Sequence, residues 1–170
     1  MIRLFISLDK ELGLEFNTAK IERFSECKLH FIKGEVIEIL YEDYLYIFID
    51  EMLGRLRNIP ILNNRNMLGK IGKWQEYYYF ESSYNEKHYK EIDIMKKAIF
   101  IGTESYGLFL YQCDGKIWLE IDKGFSELDK LNPLEYFSDP DNYRILLSYI
   151  PTEVIKEWKE QLEKIEKVLS

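Results

Sequence analysis

The chain has 170 residues, of which 46% are apolar, 31% charged and 15% aromatic, and its net charge is −7. That length suits a single α+β domain over residues 1–170 with a substantial core, and the apolar content excludes disorder. The acidic balance excludes a general nucleic-acid footprint, which needs basic charge, and leaves two readings, solubility alone or a basic partner.

The first forty residues read as a meander of short strands. Met1 to Leu8 is a dense apolar run, and Leu12, Leu14 and Phe16 alternate with Gly13 and Glu15 at a period of two. Acidic residues at Asp9 and Glu11 interrupt this N-terminus, no small-residue cleavage site follows, and no run approaches the length of a membrane span. The expected compartment is therefore the cytoplasm, with no membrane contact. A short mixed segment surrounds Ile21 and Phe24. The runs Lys28–Ile32 and Glu35–Leu40 then flank Lys33-Gly34, a hairpin signal.

The period changes at Tyr41. Leu45, Ile49, Met52, Leu53 and Leu56 fall on one helical face, which Tyr44 and Phe48 broaden. Glu42 and Asp43 stand at its start and Arg55 and Arg57 near its end, as the helix dipole favours. The pattern predicts a helix over about 42–58, stopped by Pro60, although YLYIFI by itself also fits a strand. Asn63–Lys73 is rich in Asn and Gly and reads as a surface loop. Trp74–Tyr84 has a strand composition, and Lys87–Lys97 is charged and ambiguous.

A strand begins at Ala98 and Gly102 ends it. The segment YGLFLYQCDGKIWLEID, Tyr106–Asp122, then places Asp114-Gly115 between two apolar runs. Asp-Gly suits a two-residue type I′ turn, in which both central residues carry positive φ. That register pairs Cys113 with Lys116, Tyr111 with Trp118 and Phe109 with Glu120 on one face. The other face pairs Gln112 with Ile117, Leu110 with Leu119 and Leu108 with Ile121. The aliphatic face is assigned to the core. The mixed aromatic face reads either as a sheet surface under cover or as a recognition surface.

Beyond the hairpin, Ser126 with Asp129, and Asn132 before Pro133, are capping signals. Asp139-Pro140-Asp141-Asn142 marks a turn, and Tyr143–Ile150 reads as a last strand or apolar linker. Pro151 opens a helix over about 152–169, in which Ile155, Trp158, Leu162, Ile165 and Leu169 form an amphipathic stripe. Glu160–Lys164 and Glu163–Lys167 have helix-stabilising spacing on its outer face. The order of elements predicts an α+β fold, a mostly antiparallel sheet of short strands with these two main helices packed on it.

The chain offers little recognisable chemistry. His30 and His88 do not make a metal site by themselves, so no metal and no cofactor is expected. Cys27 and Cys113 read as small, partly buried hydrophobes, with no motif for a nucleophile, a P-loop or a dinucleotide fingerprint. The Gly69–Gly72 stretch GKIG superficially looks like a clamp for nucleic-acid backbone but lacks the helical context, and reads as a surface turn.

The residues AIFIGTESYGLFLYQCDGKIWLEID, Ala98–Asp122, run strand, glycine break, aromatic strand, Asp-Gly turn and a strand ending in acid. This pattern resembles small bacterial toxin-immunity proteins and is similar to a sheet segment of the SUKH superfamily. That family opens with helices, whereas this chain opens with strands, so no functional residue is carried over. The resemblance implies a protein that binds and blocks one cognate toxin, often a basic nuclease. On that reading the partner is a basic protein, steered by acids and held by aromatic anchors. The candidate contacts are Phe109, Tyr111, Trp118 and Glu120 on the hairpin, with Glu42, Asp43, Asp50 and Glu51 on the first helix. The alternative is a small-ligand-binding protein or enzyme whose site is assembled from dispersed residues, with Trp74 and Tyr77–Tyr79 lining a pocket. A third reading is a subunit that docks a partner helix on the stripe from Ile155 to Leu169.

Overall fold

The structure, a computed structural model, describes residues 1–72, 98–103, 105–123 and 139–170. The expected elements in 74–97 and 124–138, His88 and the aromatic run Tyr77–Tyr79 lie outside the described residues. The fold is α+β, with two antiparallel four-stranded sheets where one was expected. They belong to two compact units, one of Met1–Arg57 with Ile150–Ser170 and one of Asn58–Tyr149.

In the first unit, β1 (Ile2–Ser7), β2 (Lys10–Phe16), β3 (Glu26–Lys33) and β4 (Val36–Tyr44) form a meander in chain order. The period-two pattern does what it predicts: Leu4, Leu12, Phe31, Leu14 and Leu29 line up across the strands and are buried. The opposite face carries Arg3, Glu11, Glu15, His30 and Lys28, and Gly13 in its middle. A Cβ on Gly13 would stand 3.0 Å from Ile32 Cδ1 and 3.1 Å from Met1 Sδ, so those two side chains close over the glycine.

The first helix, α1, spans Leu45–Arg57, three residues shorter at its start than the periodicity predicts. Glu42, Asp43 and Tyr44 instead continue β4, opposite Lys28, Cys27 and Glu26. The Leu45 amide is tied to the Ser25 carbonyl at 2.7 Å. Cross-strand pairing thus outweighs the dipole preference, and α1 has no acid in its first turn. Its apolar stripe packs against the last helix, α3 (Thr152–Leu169), which buries Ile155, Trp158, Leu162 and Ile165. Tyr41 of β4 meets Phe48 of α1, ring centroids 6.0 Å apart. The Trp158 indole donates to the Phe5 carbonyl of β1 at 3.0 Å. Arg57 holds Glu166 through both guanidinium Nη atoms, at 2.7 and 3.0 Å, and reaches Glu163 at 3.6 Å. Glu163 therefore turns toward α1 rather than along its own helix to Lys167.

In the second unit, β5 (Ile99–Gly102), β6 (Tyr106–Cys113), β7 (Lys116–Lys123) and β8 (Arg144–Ile150) lie side by side in that order. The β6–β7 register is the one the Asp-Gly turn predicts, residue for residue. Asp114 and Gly115 have φ of 51° and 71°, the double positive φ of a type I′ turn. A short helix, α2 (Pro140–Tyr143), forms where a turn was expected, because Asp139 Oδ1 accepts from the Asp141 amide and Pro140 opens the first turn.

Both faces of the β6–β7 hairpin are buried. Leu108, Leu110, Leu119 and Ile121 fill one side. Phe109, Tyr111 and Cys113 of the other pack with Leu62, Met67, Ile71 and Ala98. The stretch read as a surface loop is the cover. Gln112 donates to the Pro60 carbonyl and accepts from the Leu62 amide, both at 2.8 Å, and a 3₁₀ turn at Arg65–Met67 drops Met67 into the core.

Candidate functional site

The predicted site residues divide between interior and surface. Phe109, Tyr111 and Glu120 are fully enclosed in the second unit, so the hairpin face is a second core layer rather than an exposed recognition surface. The reason is the 60–72 segment, whose apolar residues at 62, 67 and 71 do not follow a helix or strand period yet all point onto the sheet. Trp118 is half-buried at the margin, its ring 6.3 Å from that of Tyr149, which also lies under Lys116 Nζ at 5.8 Å.

Glu120 is anchored on every side. Its Oε1 accepts from the Ile71 amide at 2.8 Å and the Gly72 amide at 3.3 Å, and its Oε2 accepts from the Tyr111 hydroxyl at 2.6 Å. The Tyr111 oxygen in turn accepts from the Gly69 amide at 3.0 Å. The GKIG stretch, expected on the surface, thus buries Gly69, Ile71 and Gly72 and aims the last two amides at one carboxyl group and the first at the phenol bonded to it, while Lys70 stays exposed; Gly69 has φ of 68° in this turn. The Gly69 carbonyl accepts from Arg144 Nη2. Asp122, two residues along β7, packs directly on Gly72, where a Cβ would collide with its carboxylate. Glu120 is 0% exposed and Asp122 2%, and neither Asp122 oxygen has a hydrogen-bond partner among the described residues. Burial pushes both carboxyls above the ordinary range, the neighbouring Glu120 charge adds to the shift of Asp122, and Arg144 opposes it. Burial also raises the Tyr111 phenol and lifts Tyr143 to about 12. The strand signal for this site was Glu120 flanked by Leu119 and Ile121 in a hairpin apolar on both faces; an acid there has no solvent side.

The predicted site acids of the first unit are on the surface. Glu42, Asp43, Asp50 and Glu51 are all exposed, although the first two stand on β4 and only the last two on α1. Glu42 pairs with Lys28 at 2.8 Å. Tyr44 and Tyr46, between the two pairs in sequence, join Phe24 in an aromatic cluster that helical periodicity hid. The turn at Glu22–Ser25, closed by the Ser25 amide on the Glu22 carbonyl and the Glu22 amide on Ser25 Oγ, projects Phe24 outward. Its ring stands edge-on to Tyr44 and to Tyr46, centroids 5.8 Å from each. Tyr44 and Tyr46 stack at 6.2 Å, and Arg23 sits 5.3 Å above Tyr46. Phe24 is 65% exposed and Tyr44 41%. Beside them Arg23, Tyr46, Ile49, Asp50, Glu166 and Leu169 line an open groove of about 400 Å³. Tyr44 was read as widening the helix's buried face; once the strand runs through Tyr44, that residue faces solvent.

Three other chemical candidates, His30, Cys27 and Cys113, are buried. His30 is buried on β3 with Nε2 2.9 Å from Glu15 Oε2. Burial pushes the Cys27 thiol up to about 12 and raises Cys113, so neither is a thiolate at neutral pH. Among the described residues no group of His, Cys, Asp and Glu is arranged to hold a metal, and no described helix is long and apolar enough to cross a membrane.

Set against protein-family models, curated proteins and solved structures, the chain finds no match in any of the three.

Proposed function

We propose that the chain is a binding protein of the bacterial immunity type, which neutralises one basic toxin by covering its working surface. The observation that supports this is the cluster of Phe24, Tyr44 and Tyr46, of which Phe24 and Tyr44 are exposed; Asp50 shares the groove beside Tyr46, and the exposed acids Glu42, Asp43 and Glu51, near it in sequence, complete an acidic rim in this reading. Exposed aromatics that pack mainly on each other form a rigid platform, and a partner gains apolar burial there at small entropic cost. The acidic rim supplies steering and orientation toward a basic surface. The anchors in this reading are therefore Phe24 and Tyr44 in place of Phe109 and Tyr111.

The test is affinity capture of the tagged chain from its native cells. One basic protein is expected in near-equal amount, and it is lost from the F24A/Y44A variant while that variant keeps its circular dichroism spectrum. Each single change is expected to cost about 2 kcal/mol of binding, roughly thirtyfold in Kd. Recovery of the same partner by the double variant removes this surface from the interface, and a wild-type chain that captures no basic protein overturns the reading.

A further inference from the structure

The two edges of the first sheet are unlike each other. At β1, α3 lies alongside and Trp158 donates to the Phe5 carbonyl. At β4, no strand among the described residues pairs with the outer edge. This edge is nine residues long, VIEILYEDY, and exposes Ile37 (61%) and Ile39 (47%) on the face it shares with Tyr44. A long edge that exposes Val36, Ile37 and Ile39 and is joined by no further strand among the described residues is a template for another strand. Its charges decide which strand. Glu38, Glu42 and Asp43 lie along it, Glu42 paired with Lys28 of β3 at 2.8 Å, and β4 itself carries no Lys or Arg. A second copy of this chain would bring a second row of acids to the same edge, and like charges across a strand pair are unfavourable. A strand bearing Lys or Arg meets both the acids and the isoleucines.

We propose that β4 takes up an extended basic segment of a partner protein by strand addition, the segment's main chain pairing with Val36–Asp43 and its end reaching Tyr44 and Phe24. This rests on the basic-partner reading above and adds the mode of recognition: main-chain bonds supply affinity, and the alternating side chains supply specificity. The bulge that inserts Leu40 between Ile39 and Tyr41 separates Val36–Ile39, where Glu38 is the one acid, from Tyr41–Tyr44, which holds Glu42 and Asp43. The incoming strand is accordingly apolar where it meets Ile37 and Ile39, and basic where it meets Glu42 and Asp43.

The experiment uses synthetic peptides, so it does not depend on capturing the natural partner. The full chain is titrated with an end-blocked octapeptide alternating Lys and Val, with its Glu–Val counterpart, and with the Lys–Val peptide N-methylated at alternate residues. Amide hydrogen exchange is read residue by residue. The Lys–Val peptide is expected to slow exchange at alternate residues of Val36–Asp43, and the Glu–Val and N-methylated peptides to bind at least about tenfold more weakly. The E38K/E42K/D43K variant is expected to reverse the preference to the Glu–Val peptide. Equal binding of the N-methylated peptide, or no slowing on β4 at millimolar Lys–Val peptide, overturns strand addition. Either result leaves the capture experiment with F24A/Y44A to decide the binding reading separately.

Discussion

Tyr111 and Glu120 show how a polar pair is kept inside a core. The phenol bridges the Gly69 amide and Glu120 Oε2, while the Ile71 and Gly72 amides take the other oxygen. Tyr111→Phe leaves the Gly69 donor unsatisfied and is expected to cost about 1–3 kcal/mol, read by urea denaturation. Tyr111→Ala opens a large cavity as well and is expected to cost about 3–5 kcal/mol. By contrast, Phe24→Ala is expected to stay within about 0.5 kcal/mol of the parent, because its side chain is mostly in solvent. The carboxyls of Glu120 and Asp122 also set a pH dependence. Both are raised in the folded state, so the folded state binds protons that the unfolded state has released. The stability they contribute is complete below the ordinary carboxylate range and is lost as pH rises through their folded values. The E120Q/D122N variant is expected to lose less stability between about pH 4 and pH 8 than the parent, in denaturation curves measured at each pH. A parallel pair of curves would show that these two groups do not titrate with folding.

The helix α3 is part of the first unit's own core and not a free docking stripe. Ile155, Trp158, Leu162 and Ile165 are buried, and α1 supplies their facing surface. Leu162→Ala is expected to destabilise by about 2–5 kcal/mol, the cost of a buried cavity. Deleting 156–170 is expected to abolish the cooperative unfolding of the first unit; a truncated chain that keeps its β1–β4 amide protection would return the stripe to the role of a partner-docking face. The Arg57 ion pairs with Glu163 and Glu166 are partly exposed, so Arg57→Ala is expected to cost no more than about 1 kcal/mol. The hairpin β6–β7 depends on its turn in a different way. Gly115 has φ of 71°, and a β-branched residue there, such as Gly115→Val, strains the turn even though open space surrounds it.

For the whole molecule, a net charge of −7 acts at longer range than any single contact. Association with a basic partner is expected to slow as salt rises from about 0.05 to 0.5 M, since screening shortens the reach of exposed charges. Dissociation, governed by the aromatic anchors, is expected to change much less; stopped-flow kinetics with the captured partner separate the two. A dissociation rate that carries most of the salt effect would place buried ion pairs, in place of a steering rim, at the interface.

Local chemistry alone determined the strands of the first meander, the β6–β7 hairpin with its register and the stripe of α3, and left β8 open between strand and linker. In each, the signal lies within a few residues: alternation of period two, an Asp-Gly turn that admits positive φ, or apolar spacing of three and four. The tertiary structure decided the rest. It ended β4 at Tyr44, because the ladder to β3 continues past the point where helical spacing begins. It split the strands between two sheets, a long-range pairing that no short window contains. It also exchanged the roles of the two aromatic groups. The 60–72 segment buries Tyr111 by contacts some forty residues away in sequence, while Phe24 and Tyr44, distant in the chain, meet on the surface because β3 and β4 pair there. Periodicity reports which residues share a face; only the packing of remote segments decides which face is covered.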